Sequence, residues 1–414
     1  MLALDQINRV KVQDSSLARD SLAGSSSGHE AQPYARGMAD DRVWHDAWLA
    51  TERAAFGDAA ADRAPAATLR TLLDRVSDQR ETDRYGSGEP AERLQRRVAE
   101  LLGKEAAVWM PSGTMAQQIA LRIHAERRRC NTVAYHPLCH LEVHEERGYQ
   151  VLHGLRSVLL GSSERLVGPG DVDRLSEPLA GVLLELPQRD LGGRLPTWTD
   201  LLATCDAARR HGAALHLDGA RLWQCGPFYD RPLAEIAALF DSVYVSFYKD
   251  LGAPAGCALV GPEDFIAEAR VWQVRHGGRL FSAFPYLVAA ERGLDETLPQ
   301  MPVLVERARI AGQELATLDD VTIVPDPPHT AMFHVIVRRP LEQLNAAVLE
   351  VAHASGIWPA NQFRATNDPD AQRCELTITS ASLEVPVDQI LALWQDLISR
   401  SAQRSTFQRA DEET

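Results

Sequence analysis

An acid and a lysine each follow an apolar segment of this chain. Asp218 ends the run His216-Leu217-Asp218, and Lys249 follows Ser246-Phe247-Tyr248. Open α/β sheets place their ligands at the carboxyl ends of strands. There, a lysine amine can form a Schiff base with a carbonyl group, and a carboxylate can pair with a protonated ring nitrogen.

A helix start supplies a third element of the same chemistry. The turn Pro111-Ser112-Gly113-Thr114 leads from a predicted strand into a helix that begins near Met115, so backbone amides and a helix N-terminus face the same way and favour an anion. A lysine, an acid and a phosphate-binding helix start are together the elements that hold pyridoxal phosphate (PLP). Singly, each has an ordinary explanation as a surface lysine, a turn-forming acid or a helix cap.

Short apolar segments alternate with helical patterns around these residues, which predicts an α/β fold with a parallel or mixed sheet covered on both faces. A change in pattern after about Leu298 predicts a smaller α+β domain. The predicted organisation is a flexible arm over 1–36, a large domain over 37–298, a small domain over 299–402 and a flexible tail over 403–414. The strands predicted for the large domain are Ala106–Met110, Thr132–Tyr135, Gly181–Leu186, Ala213–Leu217, Ser242–Phe247 and Cys257–Val260.

Composition narrows the class of protein. Among 414 residues, 43 Lys and Arg stand against 57 Asp and Glu, and the net charge of -14 argues against nucleic acid or an anionic membrane as a partner. No apolar stretch approaches the roughly 20 residues of a membrane helix, and residues 1–11 lack the apolar core of a signal peptide. The six cysteines form no CxxC pair. We therefore expect a cytoplasmic protein with reduced thiols, no metal and a small-molecule substrate.

Three motifs, in order, resemble those of the L-threonine aldolases in the β-eliminating lyase family, which are PLP enzymes of fold type I. They are the segments 111–121, 216–221 and 246–254. The resemblance begins near Asp83-Arg84-Tyr85-Gly86, reaches about Pro285 and continues more faintly through the small domain. It implies a large domain with a mostly parallel seven-stranded sheet, a small C-terminal domain, and a homodimer or homotetramer.

The resemblance also implies a role for each matching residue. Lys249 carries the Schiff base, Asp218 pairs with the pyridine nitrogen, and Arg221 faces the ring or the substrate carboxylate. His140 stacks on the ring, and His144, about one helical turn later, is a second candidate catalytic histidine. The residues implied to hold the phosphate are Ser112, Gly113 and Thr114, with Ser246 as a further candidate.

Two departures from the family pattern bear on the reaction. Gln188 stands where the family has a histidine before its Gly-Gly; glutamine can hydrogen-bond a substrate hydroxyl but cannot act as a base near neutral pH. Either another group, such as His140, His144 or a bound water, takes the proton, or the reaction differs.

Leu376 stands where the family has the arginine that binds the substrate carboxylate. Arg364 or Arg373 could replace it, although solvated loop positions explain both arginines equally well. Arg275 and Arg279 are candidates for a further phosphate contact.

The reaction implied by the resemblance is cleavage of the Cα–Cβ bond of a threonine-like β-hydroxy-α-amino acid to glycine and an aldehyde. The alternative is β-elimination or β-substitution, in which Lys249 removes the Cα proton and a β leaving group departs. Transamination is a third possibility. A non-catalytic PLP-binding protein is a different class, for which the sequence offers no basic DNA-binding helix.

Overall fold

The computed structural model describes residues 38–58, 64–76 and 81–412, with side chains described over 41–402 of these ranges. The predicted arm over 1–36 lies outside them. The chain separates into two compact units, Met1–Val43 and Trp44–Thr414. The features below belong to the second unit, except that the first helix begins before it, at Met38.

A seven-stranded sheet forms the centre of this unit. Its order is β2-β8-β7-β6-β5-β3-β4; β8 is antiparallel to both of its neighbours and every other pairing is parallel. This confirms the predicted α/β fold and its mostly parallel seven-stranded sheet. Every residue of β3, β6, β7 and β8 is buried, as expected for apolar strands with both faces covered. The strands are β1 Arg53–Ala54, β2 Ala106–Met110, β3 Thr132–Tyr135, β4 Arg156–Leu159, β5 Gly181–Glu185, β6 Ala214–Gly219, β7 Ser242–Ser246 and β8 Cys257–Gly261.

Helices cover both faces of this sheet and close the hydrophobic core. No helix within the described ranges is long and apolar enough to cross a bilayer. The helices up to the end of the large sheet's coverage are α1 Met38–Leu49, α2 Pro65–Val76, α3 Glu89–Leu101, α4 Gly113–Arg128, α5 His140–Val143, α6 Gly148–His153, α7 Pro169–Asp173, α8 Trp198–Arg210, α9 Gly226–Tyr229, α10 Leu233–Ala237, α11 Glu263–Arg275 and α12 Phe284–Arg292.

A second sheet of four antiparallel strands follows, in the order β12-β13-β10-β9. Along β13, buried residues alternate with half-buried ones, so one face of the strand points away from the core. The backbone of the last helix continues to Glu412, into the range predicted as a tail. The remaining elements are α13 Met301–Leu315, β9 Val321–Val324, β10 Met332–Val337, α14 Leu341–Ser355, β11 Ile357–Trp358, β12 Arg364–Ala365, β13 Gln372–Thr377 and α15 Val387–Glu412.

Candidate active site

The carboxyl ends of β5, β6 and β7 meet at one edge of the large sheet. Glu185 on β5 lies in register with Asp218 on β6, and Lys249 follows the end of β7. Asp218 is 2% exposed, and the backbone N–H of Ala220 donates to its Oδ1 at 3.1 Å. The structure therefore brings the predicted acid and lysine to the same edge.

The charges at this edge act on one another. Burial raises the pKa of Asp218, while the charges of Lys249 and His140 lower it. Burial and the charge of Arg221 lower the pKa of Lys249, and Asp218 opposes that shift. A lowered pKa gives a lysine more of the unprotonated amine that acts as a nucleophile.

Lys249 is also distinctive in the sequence. The chain has only three lysines, at positions 11, 104 and 249. Nζ of Lys104 donates to the backbone oxygen of Phe240 at 2.6 Å, whereas Lys249 lines a cavity of about 660 Å³. That volume is in the range of small-molecule sites. Lys249 is thus the lysine placed to meet a ligand.

Glu185 belongs to this edge but was not among the predicted site residues. Burial and the neighbouring Asp218 raise its pKa to about 8. Because Lys249 and His140 both favour the charged form of Asp218, we assign the proton to Glu185 and the negative charge to Asp218. The signal that could have found Glu185 is the one that found Asp218, an acid at the end of an apolar strand.

The start of α4 forms a cradle for an anion. Ser112 precedes the helix in an extended conformation, and Thr114 is half-buried at its first turn. The first N–H groups of a helix have no partner within it. A Cβ on Gly113 would overlap the hydroxyl of Tyr244, so only glycine lets the backbone approach so closely. This place matches the phosphate site predicted from residues 112–114.

Ser246 has a different place from these three residues. Its side chain is fully buried, and its hydroxyl donates to the backbone oxygen of Ala220 at 2.8 Å. Its own backbone oxygen accepts from Nε1 of Trp223 at 2.7 Å. Ser246 therefore holds the loop that follows Asp218, and its hydroxyl hydrogen is already used.

The two predicted histidines lie together, with ring centroids 4.9 Å apart. Nδ1 of His140 donates to Oε1 of Glu145 at 2.9 Å, and Nε2 of His144 donates to Oδ2 of Asp190 at 3.4 Å. Since a carboxylate only accepts, these bonds fix the ring hydrogens and leave Nε2 of His140 and Nδ1 of His144 as acceptors in the neutral rings. Each histidine can therefore take up one proton.

Gln188 is 3% exposed and held from two sides. Its Nε2 donates to Oε2 of Glu185 at 2.8 Å and to the backbone oxygen of Leu138 at 3.3 Å. It lines a small cavity of about 20 Å³ with Glu185 rather than the cavity that Lys249 lines. Both amide hydrogens of Gln188 are therefore used, so a hydrogen bond donated by Gln188 to substrate would require Nε2 to exchange one of these partners.

A second charged cluster, centred on Glu375 of β13, was not predicted. Nε and Nη2 of Arg189 donate to its carboxylate at 2.8 and 3.2 Å. Nη2 of Arg221 and Nε2 of His334 lie 3.9 and 3.7 Å from it. Burial opposes ionisation of Glu375, but the nearby His334 and the two arginine charges outweigh it and lower the pKa.

The other arginines predicted for the site are exposed or have partners of their own. Leu376 is fully buried on the core side of β13, and Arg364 is exposed. Nη1 of Arg373 donates to the backbone oxygen of Asp190 at 3.3 Å. Nε of Arg279 donates to the backbone oxygen of Tyr85 at 2.6 Å, and Arg275 stacks over Trp272. Of the arginines considered, Arg221 lies nearest the strand ends.

These residues fit PLP. The glycine-only start of α4 suits its phosphate, the amine of Lys249 suits its aldehyde, and the ionised Asp218 suits its ring nitrogen. Over the described ranges, no group of three or more His, Cys, Asp or Glu side chains is arranged to hold a metal ion.

Comparison with known proteins finds the same chemistry. The profile of the family described as Beta-eliminating lyase matches residues 65–339. The chain is 28% identical to low-specificity L-threonine aldolase 1 of Arabidopsis thaliana over 253 residues, covering 58% of this chain and 70% of that protein. It is 32% identical to the low specificity L-threonine aldolase of Escherichia coli K12 over 206 residues, covering 47% and 60%.

A solved structure extends the likeness to most of the chain. A crystal structure from Listeria monocytogenes EGD-E, provisionally named an L-allo-threonine aldolase, superposes with a TM-score of 0.82 at 36% identity. The match covers 87% of this chain and 99% of that one. The likeness therefore includes both sheets of the fold.

Proposed function

Since the chain belongs to the Beta-eliminating lyase family of PLP-dependent enzymes, we propose that it cleaves the Cα–Cβ bond of a β-hydroxy-α-amino acid to glycine and an aldehyde. The observation that carries the proposal is the pair His140 and His144, each with one ring nitrogen fixed by a carboxylate and the other able to accept a proton. The aldolase names of the relatives in Arabidopsis thaliana and Escherichia coli support the same reaction.

Four parts of the site would hold the cofactor. Lys249 would bind its aldehyde carbon, Asp218 its ring nitrogen, the start of α4 at Ser112, Gly113 and Thr114 its phosphate, and His140 would lie against its ring. When bound, PLP supplies a ring that accepts the electron pair released as the Cα–Cβ bond breaks. The negative charge of Asp218 favours the protonated ring nitrogen on which that capacity depends.

Retro-aldol cleavage also requires that the β-hydroxyl lose its proton. A neutral imidazole whose other nitrogen donates to a carboxylate is well suited, because the carboxylate stabilises the imidazolium that forms. We propose that the accepting atom is Nε2 of His140 or Nδ1 of His144. Gln188, held by Glu185, would position the neighbouring loop instead of acting as a base.

Product analysis tests this proposal. The purified, PLP-loaded protein would be given threonine, allo-threonine and phenylserine, with glycine and aldehyde assayed beside keto acid and ammonia. Glycine with an equal amount of aldehyde is the expected result. Keto acid and ammonia without glycine would contradict it.

That contradicting outcome defines the second candidate function, β-elimination. It is favoured by the description of the family whose profile matches residues 65–339. In that reaction Lys249, whose pKa is lowered by burial and by Arg221, would remove the Cα proton. His144 would then be dispensable, so replacing it by Asn would leave the rate nearly unchanged.

We further propose that the protein acts in the cytoplasm as a homodimer or homotetramer. All six cysteines are free thiols, which suits a reducing compartment. Val151, Leu152 and Phe281 are apolar residues that are 79%, 66% and 63% exposed, and an assembly would give them a second copy to pack against. Light scattering on the purified protein would test the assembly; a single-chain mass would contradict it.

The division into a large domain over 37–298 and a small domain over 299–402 also stays a proposal. The seven-stranded sheet lies within the first range, and the four-stranded sheet lies within the second. Limited proteolysis that cuts near residue 298 and leaves two resistant fragments would support it. Cleavage within either sheet, with no cut at that position, would count against it.

A further inference from the structure

Asp250, next to Lys249 in the chain, is a buried acid for which the mechanism above has no use. Its side chain is 3% exposed, and its Oδ1 accepts from Nε2 of Gln224 at 2.7 Å. Its Oδ2 has no hydrogen-bond partner among the described residues. Gln224 is 2% exposed, and its Oε1 likewise has no partner there.

These two oxygens belong to side chains that are already joined by one hydrogen bond. An ionised carboxylate and an amide oxygen are both acceptors, so neither can satisfy the other, and a buried acceptor without a donor is costly. One added proton removes both deficits, because a carboxylic acid and a primary amide can form a cyclic pair with two hydrogen bonds. In that pair Nε2 of Gln224 donates to Oδ1, and Oδ2 of Asp250 donates to Oε1.

We propose that Gln224 makes the fold favour the neutral carboxylic acid form of Asp250, and that in this form Asp250 leaves the positive charge of Arg221 for the carboxylate of the substrate. The second part rests on the proposed function. Asp250 is then a positioning residue that acts through Arg221 and does not itself touch the reacting atoms.

The surroundings of Arg221 support this division. Its guanidinium is 14% exposed, and its nearest carboxylate oxygens, on Asp250 and Glu375, both lie at 3.9 Å, beyond hydrogen-bond distance. Glu375 is already paired with Arg189. With Asp250 neutral, the anion nearest to Arg221 in the described part of the chain is Glu375, which is 3.9 Å away and already hydrogen-bonded to Arg189. The guanidinium of Arg221 therefore keeps N–H donors for an arriving carboxylate.

The groups that face Asp250 are Arg221, Lys249, Gln224 and the thiol of Cys225. Burial raises the pKa of Asp250 to about 6, although Arg221, Gln224 and Lys249 all act to lower it. Asp250 in turn helps to raise the pKa of Cys225, so that neighbour carries no charge. Burial thus outweighs two nearby positive charges.

The test replaces Asp250 by Asn in the PLP-loaded protein, because asparagine has one acceptor and one donor where the neutral acid has them. Ionisation of an acid with a raised pKa costs folding stability as pH rises through that pKa. We therefore expect the melting temperature of Asp250→Asn, relative to that of the natural protein, to rise by about 1–3 °C between about pH 5 and pH 8.

The matched control is Asp171→Asn. Asp171 is also buried, but Nη1 and Nη2 of Arg165 donate to its two oxygens at 2.6 and 2.7 Å, and the bond from Arg165 lowers its pKa to about 2. This variant should melt below the natural protein at both pH values. If Asp250→Asn also melts lower than the natural protein at both pH values, by as much as the control, the fold favours the ionised form of Asp250 and the proposal fails.

Infrared difference spectra of the natural protein give a second measurement in case Asp250→Asn does not fold. A C=O band of a protonated carboxyl group that shifts in Gln224→Met supports the pair, and a spectrum with no such shift overturns it. The role of Arg221 is tested by binding, read from cofactor absorbance. Arg221→Gln should weaken glycine about tenfold and leave aminoethanol, which has no carboxylate, unchanged.

An equal loss for both ligands would overturn that role. None of these measurements requires C–C cleavage, so a failure of the Asp250 proposal and a failure of the aldolase proposal remain distinguishable.

Discussion

Two carboxylate clusters lie at this site, and the glutamate of each is half-buried, yet the pKa values of these glutamates are shifted in opposite directions. Glu185 and Asp218, at the ends of β5 and β6, face each other, and Glu185 accepts only from neutral amide groups. Glu375, on β13 of the small sheet, accepts from the guanidinium of Arg189. The pKa is raised to about 8 for Glu185 and lowered for Glu375. The charge of the donors, more than the depth of burial, decides which acid keeps its proton.

The difference assigns the clusters different tasks. An acid pair that shares one proton, beside a lysine with a lowered pKa, can adjust its protonation as a ligand arrives. An acid fixed by two arginines and a histidine keeps its charge over the working pH range and holds side chains from both sheets in place. Proton transfer is therefore expected at the ends of the parallel strands, and positioning is expected at β13.

The cluster at the ends of the parallel strands, Glu185, Asp218 and Lys249, is called the inner cluster. Removing its amine should have the largest effect. Lys249→Ala should lower turnover by about a thousandfold or more, because in the proposed mechanism the residue would both bind the cofactor and return protons. The measurement is turnover, together with borohydride reduction and peptide mapping. Lys104→Ala is the matched control, since that lysine only donates to a backbone oxygen. Cofactor that remains fixed to Lys104 or Lys11 after reduction would refute the assignment.

Removing the charge but not the shape of the inner cluster should have the next largest effect. Asp218→Asn should weaken cofactor binding and lower turnover by about a hundredfold, since an uncharged partner no longer favours a protonated ring nitrogen. Cofactor dissociation, followed by absorbance, checks this. Asp241→Asn, an exposed acid that caps the opposite end of β6 by accepting from the N–H of Leu215, should change neither. Equal behaviour of the two variants would remove Asp218 from the site.

The raised pKa of Glu185 predicts a pH dependence of stability. Because its folded pKa of about 8 lies above the usual 4.5, the stabilisation is complete below about pH 4.5 and is lost as pH rises toward 8. Glu185→Gln cannot ionise, so its melting temperature should fall less over that range than that of the natural protein. The change in melting temperature with pH is the quantity to compare, because a constant cost of the introduced amide to stability does not affect it. Parallel slopes would show that Glu185 is ionised throughout.

Sequence reasoning found the parts of this site that depend on strand ends. Asp218 lies at the carboxyl end of β6, and Lys249 and the turn at Gly113 follow apolar strands of the mostly parallel sheet, so local pattern and general topology were sufficient to place them. Glu185 carries the same signal, an acid at the end of an apolar strand. It also lies in the segment whose departure from the family pattern, at Gln188, is the more conspicuous feature. The edge strand β4, Arg156–Leu159, was missed because its residues are mostly half-buried or exposed and give no apolar run.

The cluster around Glu375, called the outer cluster, could not be found in this way. Arg189 and Glu375 are 186 residues apart in the sequence, and their contact depends on how one face of β13 is turned relative to the loop after β5. The pairing of Asp250 with Gln224 depends on side-chain orientation within a buried turn. Neither follows from periodicity or composition. Three-dimensional packing, and not local pattern, determines these partners.

The smallest expected effect tests whether the outer cluster serves mainly to position. In Glu375→Gln the amide oxygen can still accept from Arg189, but the charge is lost, and we expect a loss of about 1–3 kcal/mol in the free energy of unfolding at pH 7. Glu296→Gln, an exposed partner of Arg75 and Arg292, should cost less than about 1 kcal/mol.

Since the pKa of Glu375 is lowered, its contribution is present above about pH 4.5 and fades only as pH falls below that value. Denaturant unfolding at pH 7 and pH 4 would measure both differences. The loss should therefore shrink on acidification, opposite in sign to the trend at Glu185, and a loss that grows instead would show that the two clusters do not differ as described.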